Sequence, residues 1–515
     1  MSLRKCFAPE SVLFIAIWLI LMVGGQSRFL RDPGTFWHTT TGDLIRAQGF
    51  IDRDPYTFTF HDEPWIPYQW LGEVGFSLVH QAGGFDLLLW AAVTFVAGML
   101  TWLAVLMMRG GIHWSLTALF LAGTLAASAG HFHVRPHLMT MLLMGLLYRW
   151  LVRYEADELA LSGLFLRLPV LFVLWTNIHG GMLGGLATLG IAIVLWMVQK
   201  VVFGDGPIVG AKTVAGLLLL VAVCGATMFV NPYGIRLPQT WKTIMTSPSL
   251  SSIIVEHMPP DFHDPSTWLI VMFGAVYLGL LTQVRSGQFR VVWLLPLVWL
   301  ALTLTRVRHA PLFAIAATVA IADLFGRTRI AERMLRSGSD MFTPPVDRPR
   351  ETHRWLCWIL PAILIAGSAG LKVAKIEAPV VGSGWARFDP KDWPLGFTDE
   401  IERIADETPR RVRMFDEYGF GGWLIYHHPR CDVFVDDRCE LFGDSFLKFF
   451  VRTSDPGITT IPEVIETVQG WERAYGEFDA ALVASEGNFD RALAVTTGWR
   501  EVKRSGIAVL YVRVR

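Results

Sequence analysis

Apolar stretches of roughly 15 to 25 residues recur along the first 371 positions, each long enough, or nearly so, to cross about 30 Å of hydrocarbon as a helix. They lie near 11–25, 85–108, 114–130, 137–154, 164–176, 181–199, 213–230, 268–282, 291–304, 310–325 and 355–371. Lipid offers the backbone no hydrogen bonds, so such segments are confined to helices that satisfy their own N–H and C=O groups. Composition agrees: 52% of the chain is hydrophobic, 17% is charged, and the mean hydropathy is +0.41. Of the 90 Asp, Glu, Lys and Arg residues, 43 fall after residue 371. That distribution excludes a soluble enzyme, a disordered chain and a secreted disulfide scaffold. It predicts an α-helical polytopic membrane protein with about 11 transmembrane helices over 1–371, and a soluble α/β domain over 372–515.

Lys and Arg favour the loops that share a side with the N-terminus, where Arg4 and Lys5 precede the first span and the loop 326–354 holds seven Arg. The positive-inside bias makes that side cytoplasmic. An odd number of spans then puts the C-terminal domain outside, in the periplasm of a Gram-negative cell. No convincing A-x-A site follows the first span, so it reads as an anchor. The loop 326–354, rich in Arg, Pro and Ser, reads as a cytoplasmic linker. Most histidines and loop acids fall in the outer loops, so chemistry is expected there. The C-terminal domain has a net charge of −5, and no basic patch is dense enough for nucleic acid. Cys431 and Cys439 can pair if that domain meets an oxidising compartment.

In the C-terminal domain, VRMF (412–415), DVFVDD (432–437), FDAALVA (478–484) and IAVLYVRV (507–514) read as strands. Helical patterns at 421–428, 461–476 and 488–498 lie between them, which suggests a mainly parallel sheet. Asp416, Asp436, Asp437 and Arg438 follow predicted strands, where an open sheet forms its ligand crevice. YGFGGW (418–423) lacks dinucleotide spacing, and the sequence contains no G-x-S-x-G, H-E-x-x-H or P-loop.

The first outer loop, 26–84, carries the densest chemistry. Asp32 followed by Pro33 is a helix-start signal, and the next residues place Phe36, Trp37, Thr40, Leu44 and Ile45 on one face. This predicts an amphipathic helix lying on the membrane surface. Asp32 is then either a helix cap or a carboxylate held at the bilayer surface, with His38 serving the same pocket. Farther on, Asp54, Trp70 and Glu73 mix acids with aromatics, a pattern fitting a sugar site or an interfacial belt. HFHVRPHL (131–138) groups His131, His133 and His137 with Arg135. Pro136 breaks the helix that would align a metal set, so a cradle for phosphate fits better, and a divalent metal stays open. Asn177 and His179 sit where two spans meet beside paired glycines, which serve either helix packing or a substrate. Arg306, Arg308 and His309 stand at the outer end of a span against the positive-inside bias, as expected of groups that bind a phosphate head group.

Taken in order, DPGTFWHTTTGDLIRAQGFIDRDPYTF, PWIPYQWLGE, RPHL, WTNIHGG, NPYG, EHMPPDFHDP, RHAPLF and VFVDDRCELFG resemble bacterial polytopic proteins grouped with the GT-C superfamily of membrane glycosyltransferases. The resemblance runs along most of the chain. It implies an enzyme that moves a hexosyl or pentosyl group, with inversion, from a polyprenyl-phosphate-linked donor to a glycan, lipid or protein acceptor at the outer face of the bacterial inner membrane. In that superfamily an Asp soon after the first span is the catalytic base, a role that falls to Asp32 here. Many members carry a paired acidic motif at this point, whereas Asp32 is flanked by Arg31 and Pro33, and Asp54 is the second candidate. Arg135, His137, Arg306, Arg308 and His309 are the expected donor-phosphate contacts, and Trp70, Glu73, Asn177 and His179 the substrate contacts. No cofactor is required beyond the open question of a metal. The alternatives are a flippase-like carrier-handling protein and a non-catalytic scaffold in envelope glycan assembly.

Overall fold

A computed structural model of the chain describes residues 7–345, 354–376 and 384–514. Arg4, Lys5 and part of the loop 326–354 lie outside the described residues. The helices run α1 (Pro9–Gly25), α2 (Gly34–Gln48), α3 (Trp70–Arg109), α4 (Trp114–Ser128), α5 (His137–Glu155), α6 (Leu161–Ile178), α7 (Met182–Phe203) and α8 (Ala211–Ala226). They continue with α9 (Arg236–Thr246), α10 (Leu250–Ile253), α11 (Pro265–Thr282), α12 (Leu295–Thr305), α13 (Ala310–Leu324), α14 (Arg329–Arg336) and α15 (Ile359–Val373). All the expected apolar stretches are helical. Among the described residues seven helices are long and apolar enough to cross a membrane, while Pro9–Gly25 and Val291–Thr305 are apolar but shorter. The molecule is a polytopic helical membrane protein.

At its centre, α13 is buried along nearly its whole length and touches α3, α4, α5, α11 and α12. Its alanines explain the position: helices in lipid associate through close van der Waals contact, which small side chains permit. The loop after α13 is more ordered than the linker expected from its composition. Thr328 caps α14 by accepting the Ala331 N–H at 3.1 Å, and Phe342 is buried against the bundle.

The C-terminal domain comprises α16 (Thr398–Glu407), β1 (Val412–Asp416), α17 (Gly421–His427), β2 (Cys431–Val433), α18 (Cys439–Ser454), α19 (Ile461–Tyr475), β3 (Ala480–Ala484), α20 (Asn488–Val495), β4 (Trp499–Arg504) and β5 (Ala508–Arg513). Its sheet has the order β2-β1-β3-β5-β4. Strands β2, β1 and β3 are parallel, but β5 runs antiparallel to both β3 and β4, so the sheet is mixed rather than mainly parallel. Strand β4 (WREVKR) escaped the sequence pattern because it is an edge strand carrying charge. The expected strand 432–437 stops at Val433, where the Asp416 carboxylate accepts the Phe434 N–H at 2.7 Å. Cys431 and Cys439 are buried free thiols and not a disulfide.

Two features seat this domain on the membrane part. Asp86, just past a kink in α3 at Gly83–Gly84, accepts the Gly384 and Ala386 N–H groups at 2.9 and 2.7 Å and pairs with Lys372 at the end of α15. The first outer loop also joins the sheet edge: Val433 N–H donates to Tyr56 O at 3.1 Å, and Phe58 N–H to Val433 O at 3.2 Å. The apolar face of the amphipathic helix α2 is therefore turned to protein, not free to enter lipid. That face is buried under the C-terminal domain, with the Phe36 ring 4.8 Å from Trp393 and 5.2 Å from His427. An apolar face must be covered, and here a protein surface covers it.

Candidate active site

The outer loops and the C-terminal domain converge on one cavity of about 590 Å³. Asp32 stands on its wall. The chain ahead of α2 turns so that Asp32 Oδ1 accepts the Gly34 N–H at 2.8 Å, while Oδ2 pairs with Arg135 Nη1 at 3.0 Å. Asp32 thus holds the chain at the start of α2 and also stands on the cavity wall. Arg135 is aimed by the short turn between α4 and α5, which Thr35 ties down by donating to Val134 O at 2.9 Å.

Six more of the expected residues line the same cavity: Arg135, His137, His179, Arg306, Arg308 and His309. His137 Nε2 donates to His131 O at 2.7 Å, so that nitrogen carries a proton and faces a carbonyl. Among the described residues no three His, Cys, Asp or Glu side chains form a metal-holding group. His179 Nδ1 accepts the Gly181 N–H at 2.9 Å and the Thr140 hydroxyl at 2.9 Å, while Thr140 Oγ1 accepts from Trp175 Nε1 at 2.8 Å. This relay fixes the proton of the neutral ring on Nε2, making it a donor. The paired glycines serve packing as well, because a Cβ at Gly180 or Gly181 would meet Trp241 or Thr140. Arg308 reaches His257 Nε2, and Glu256 sits nearby. Burial alone would raise the Glu256 carboxyl, but Arg135, His131 and Arg308 outweigh it and hold the group well below its usual range.

The remaining candidates lie behind the wall. His38 Nδ1 pairs with Glu73 Oε1 at 2.8 Å, and both side chains are fully buried. Burial, reinforced by Arg135, keeps the His38 ring neutral far below its ordinary pKa. Trp70 Nε1 donates to Asn177 Oδ1 at 2.7 Å, and Asn177 Nδ2 donates to Val173 O and Val230 O. These two side chains brace α3 against α6 and do not reach the cavity. Asp54 is also displaced from it. Its carboxylate accepts the Thr57 N–H at 3.0 Å and pairs with Arg438 at 2.7 Å, because the first loop needs an anion where it meets the buried guanidinium.

Arg438 forms the joint. It is 1% exposed, pairs with Asp436 at 2.6 Å as well as with Asp54, and stacks over Tyr56 and Trp65 at 4.9 and 4.5 Å. On either side of it, Asp437 and Glu440 line the cavity. Trp37 Nε1 donates to Asp437 Oδ1 at 2.7 Å, and Trp65 Nε1 donates to Glu440 Oε1 at 2.9 Å. The sequence placed Asp437 in a crevice of its own domain, but it belongs to a cavity shared with the membrane part. Glu440 and Trp241 gave no local signal at all. The cavity is densely charged as a result. It is lined by arginines and histidines, by the acids Asp32, Glu256, Asp437 and Glu440, and by apolar side chains of α7, α12 and α13.

No family model matches the sequence, and neither does any curated protein. Solved structures do. The oligosaccharyltransferase AglB from Archaeoglobus fulgidus, in complex with an inhibitory peptide and a dolichol-phosphate, matches with a TM-score of 0.52 at 11% identity, over 100% of this chain and 75% of that one. The Archaeoglobus fulgidus oligosaccharyltransferase tethered with an acceptor peptide matches with a TM-score of 0.53 at 10% identity, over 94% and 69%. ArnT from Cupriavidus metallidurans, bound to undecaprenyl phosphate, matches at 15% identity and a TM-score of 0.49, with 98% of each chain covered. Likeness at such identities concerns architecture, and on that ground the chain shares the overall fold of the Archaeoglobus fulgidus oligosaccharyltransferase structures.

Proposed function

We propose that this protein is a glycosyltransferase that moves a sugar from a polyprenyl-phosphate-linked donor to an acceptor hydroxyl at the outer face of the bacterial cytoplasmic membrane. The N-terminus is cytoplasmic in this reading and the C-terminal domain extracytoplasmic. The observation that carries it is the composition of the cavity: Asp32, a set of cationic and N–H donor groups, and apolar side chains of α7 and α12 line one space. Each part suits one piece of the substrate. Arg135, Arg306 and Arg308 suit a phosphodiester, and they stabilise the charge that grows on it as the sugar departs. The His179 Nε2–H adds a neutral donor. The walls around Leu183, Trp299 and Leu302 suit the first isoprene units of a carrier. Asp32 orients or deprotonates the acceptor, whose oxygen attacks the anomeric carbon from the face opposite the phosphate and so inverts it. AglB, a protein of the same fold, is seen with a dolichol-phosphate, which supports a lipid-linked donor here. The sugar is a hexose or pentose, and the acceptor is a glycan, lipid or protein.

One observation favours a second reading. Asp32 is already paired with Arg135, which suits a protein that holds a lipid-linked glycan without reacting it. Purified protein in lipid, offered a panel of polyprenyl-phosphate sugars, separates the two. Consumption of a donor by the wild type, lost in Asp32→Asn while donor binding survives, is the expected result. Binding without consumption in either protein would establish carrier handling instead, and no binding of any donor would overturn both.

A further inference from the structure

The segment Asp436–Glu440 is where the C-terminal domain enters the cavity. Asp436 and Arg438 turn inward to the buried joint, and this leaves Asp437 between them on the cavity wall. Its backbone carbonyl accepts the Cys439 N–H at 3.0 Å and the Tyr418 hydroxyl at 3.3 Å, so the residue is held at main chain as well as side chain. Gly422 seats the C-terminal domain against the chain beside Asp32: a Cβ there would lie 2.3 Å from Pro33 O, so only glycine lets α17 rest on that residue. Two carboxylates from opposite ends of the chain therefore line the cavity together, although Asp32 has no acid beside it in sequence.

The two acids are held differently. Each oxygen of Asp32 already has a partner, the Gly34 N–H on one and the Arg135 guanidinium on the other. The Asp437 carboxylate is held through Oδ1 by the neutral Trp37 indole. We propose that Asp437 is the group that accepts the acceptor's proton, while Asp32, fixed by Arg135, orients the acceptor. This rests on the glycosyl-transfer reading above. In the step, the acceptor oxygen forms a bond to the anomeric carbon, and the bond from that carbon to the phosphate oxygen breaks. The electron pair leaves with the polyprenyl phosphate, and the hydroxyl proton passes to Asp437. The electrostatics suit a base. Burial first, then Asp32 and Asp436, raise the Asp437 carboxyl against the opposing Arg135 and Trp37 N–H, to about 8. Tyr418 and Cys439 are the other titratable groups around it. A proton acceptor works best with a pKa near the working pH.

The test is kcat against pH for the wild type and the variants Asp437→Asn, Asp32→Asn and Trp37→Phe, in lipid, with whichever donor of the panel the wild type consumes. Donor affinity, measured in parallel, reports that each variant is folded. Wild-type kcat is expected to rise with pH at a position well above the usual carboxylate range. Asp437→Asn should lower kcat by about 10²–10⁴-fold and abolish that rise without weakening donor binding. Asp32→Asn should lower kcat and, by removing a charge that raises the Asp437 carboxyl, move the rise to lower pH without abolishing it. Trp37→Phe removes a hydrogen bond to the charged form and should move the rise to higher pH. If Asp437→Asn keeps the wild-type rate and rise, or if Trp37→Phe leaves the rise in place, Asp437 is not the proton acceptor, though glycosyl transfer stands. A wild type that consumes no donor overturns both.

Discussion

Replacing Arg438 with methionine keeps most of the side-chain volume but removes the charge, which makes it a direct test of the joint between the first outer loop and the C-terminal domain. Asp54 and Asp436, its two ion-pair partners, are 1% and 0% exposed. Removing one partner of a buried ion pair costs about 3–5 kcal/mol, because the remaining charge is left without compensation. Here two carboxylates are left. Losing the stacking on Tyr56 and Trp65 costs roughly 1 kcal/mol or more in addition. These contributions share one side chain and do not add, so about 3 kcal/mol is a safe minimum. The readout is local. Phe58 N–H donates to Val433 O and Val433 N–H to Tyr56 O across the joint, and these amides open to solvent when it opens. A loss of about 3 kcal/mol speeds their hydrogen exchange roughly 100-fold, since 1.4 kcal/mol is tenfold. Arg430→Met is the control. Its pair with Asp406 is 50% and 73% exposed, and such pairs contribute about 0–1 kcal/mol. If peptides spanning Phe58 and Val433 exchange equally fast in both variants, the buried-joint argument is wrong.

Three further outcomes follow from the same geometry. Gly422→Ala should displace α17 from Pro33 and lower turnover, at a stability loss of about 1–3 kcal/mol, whereas Gly419→Ala, with nothing near its Cβ, should be neutral; thermal unfolding and donor consumption read both. His427 is held by burial at about 4, against roughly 6.5 unfolded. The unfolded chain therefore takes up its proton first, and stability falls as pH drops through that window. His427→Gln should reduce the loss seen between pH 7 and 5 in unfolding scans. Asn177→Ala should cost about 1–3 kcal/mol by stranding the Trp70 indole, with donor affinity unchanged, and altered affinity would return Asn177 to the binding site.

Much of the architecture was legible because it is local. A helix in lipid must satisfy its own backbone, so hydrophobic runs alone locate α1, α3 to α8, α11 to α13 and α15. The Asp32–Pro33 start of α2 and the Arg135–Pro136 turn were likewise readable from neighbouring residues. Arg306, Arg308 and His309 stood out because cations at that end of a span break the charge pattern. What the pattern left open was the partner. The period of α2 says that Phe36 and Trp37 are covered, but periodicity carries no information on what covers them. Only the tertiary structure puts the C-terminal domain there in place of lipid. The same holds for the acids. Asp54 and Asp437 look alike in sequence, both beside an Arg or Asp in a polar run. One is consumed by the buried Arg438 and the other is turned to the cavity. That division is set by pairings between residues hundreds of positions apart, which depend on how the two parts of the chain pack against each other and not on anything either segment carries by itself.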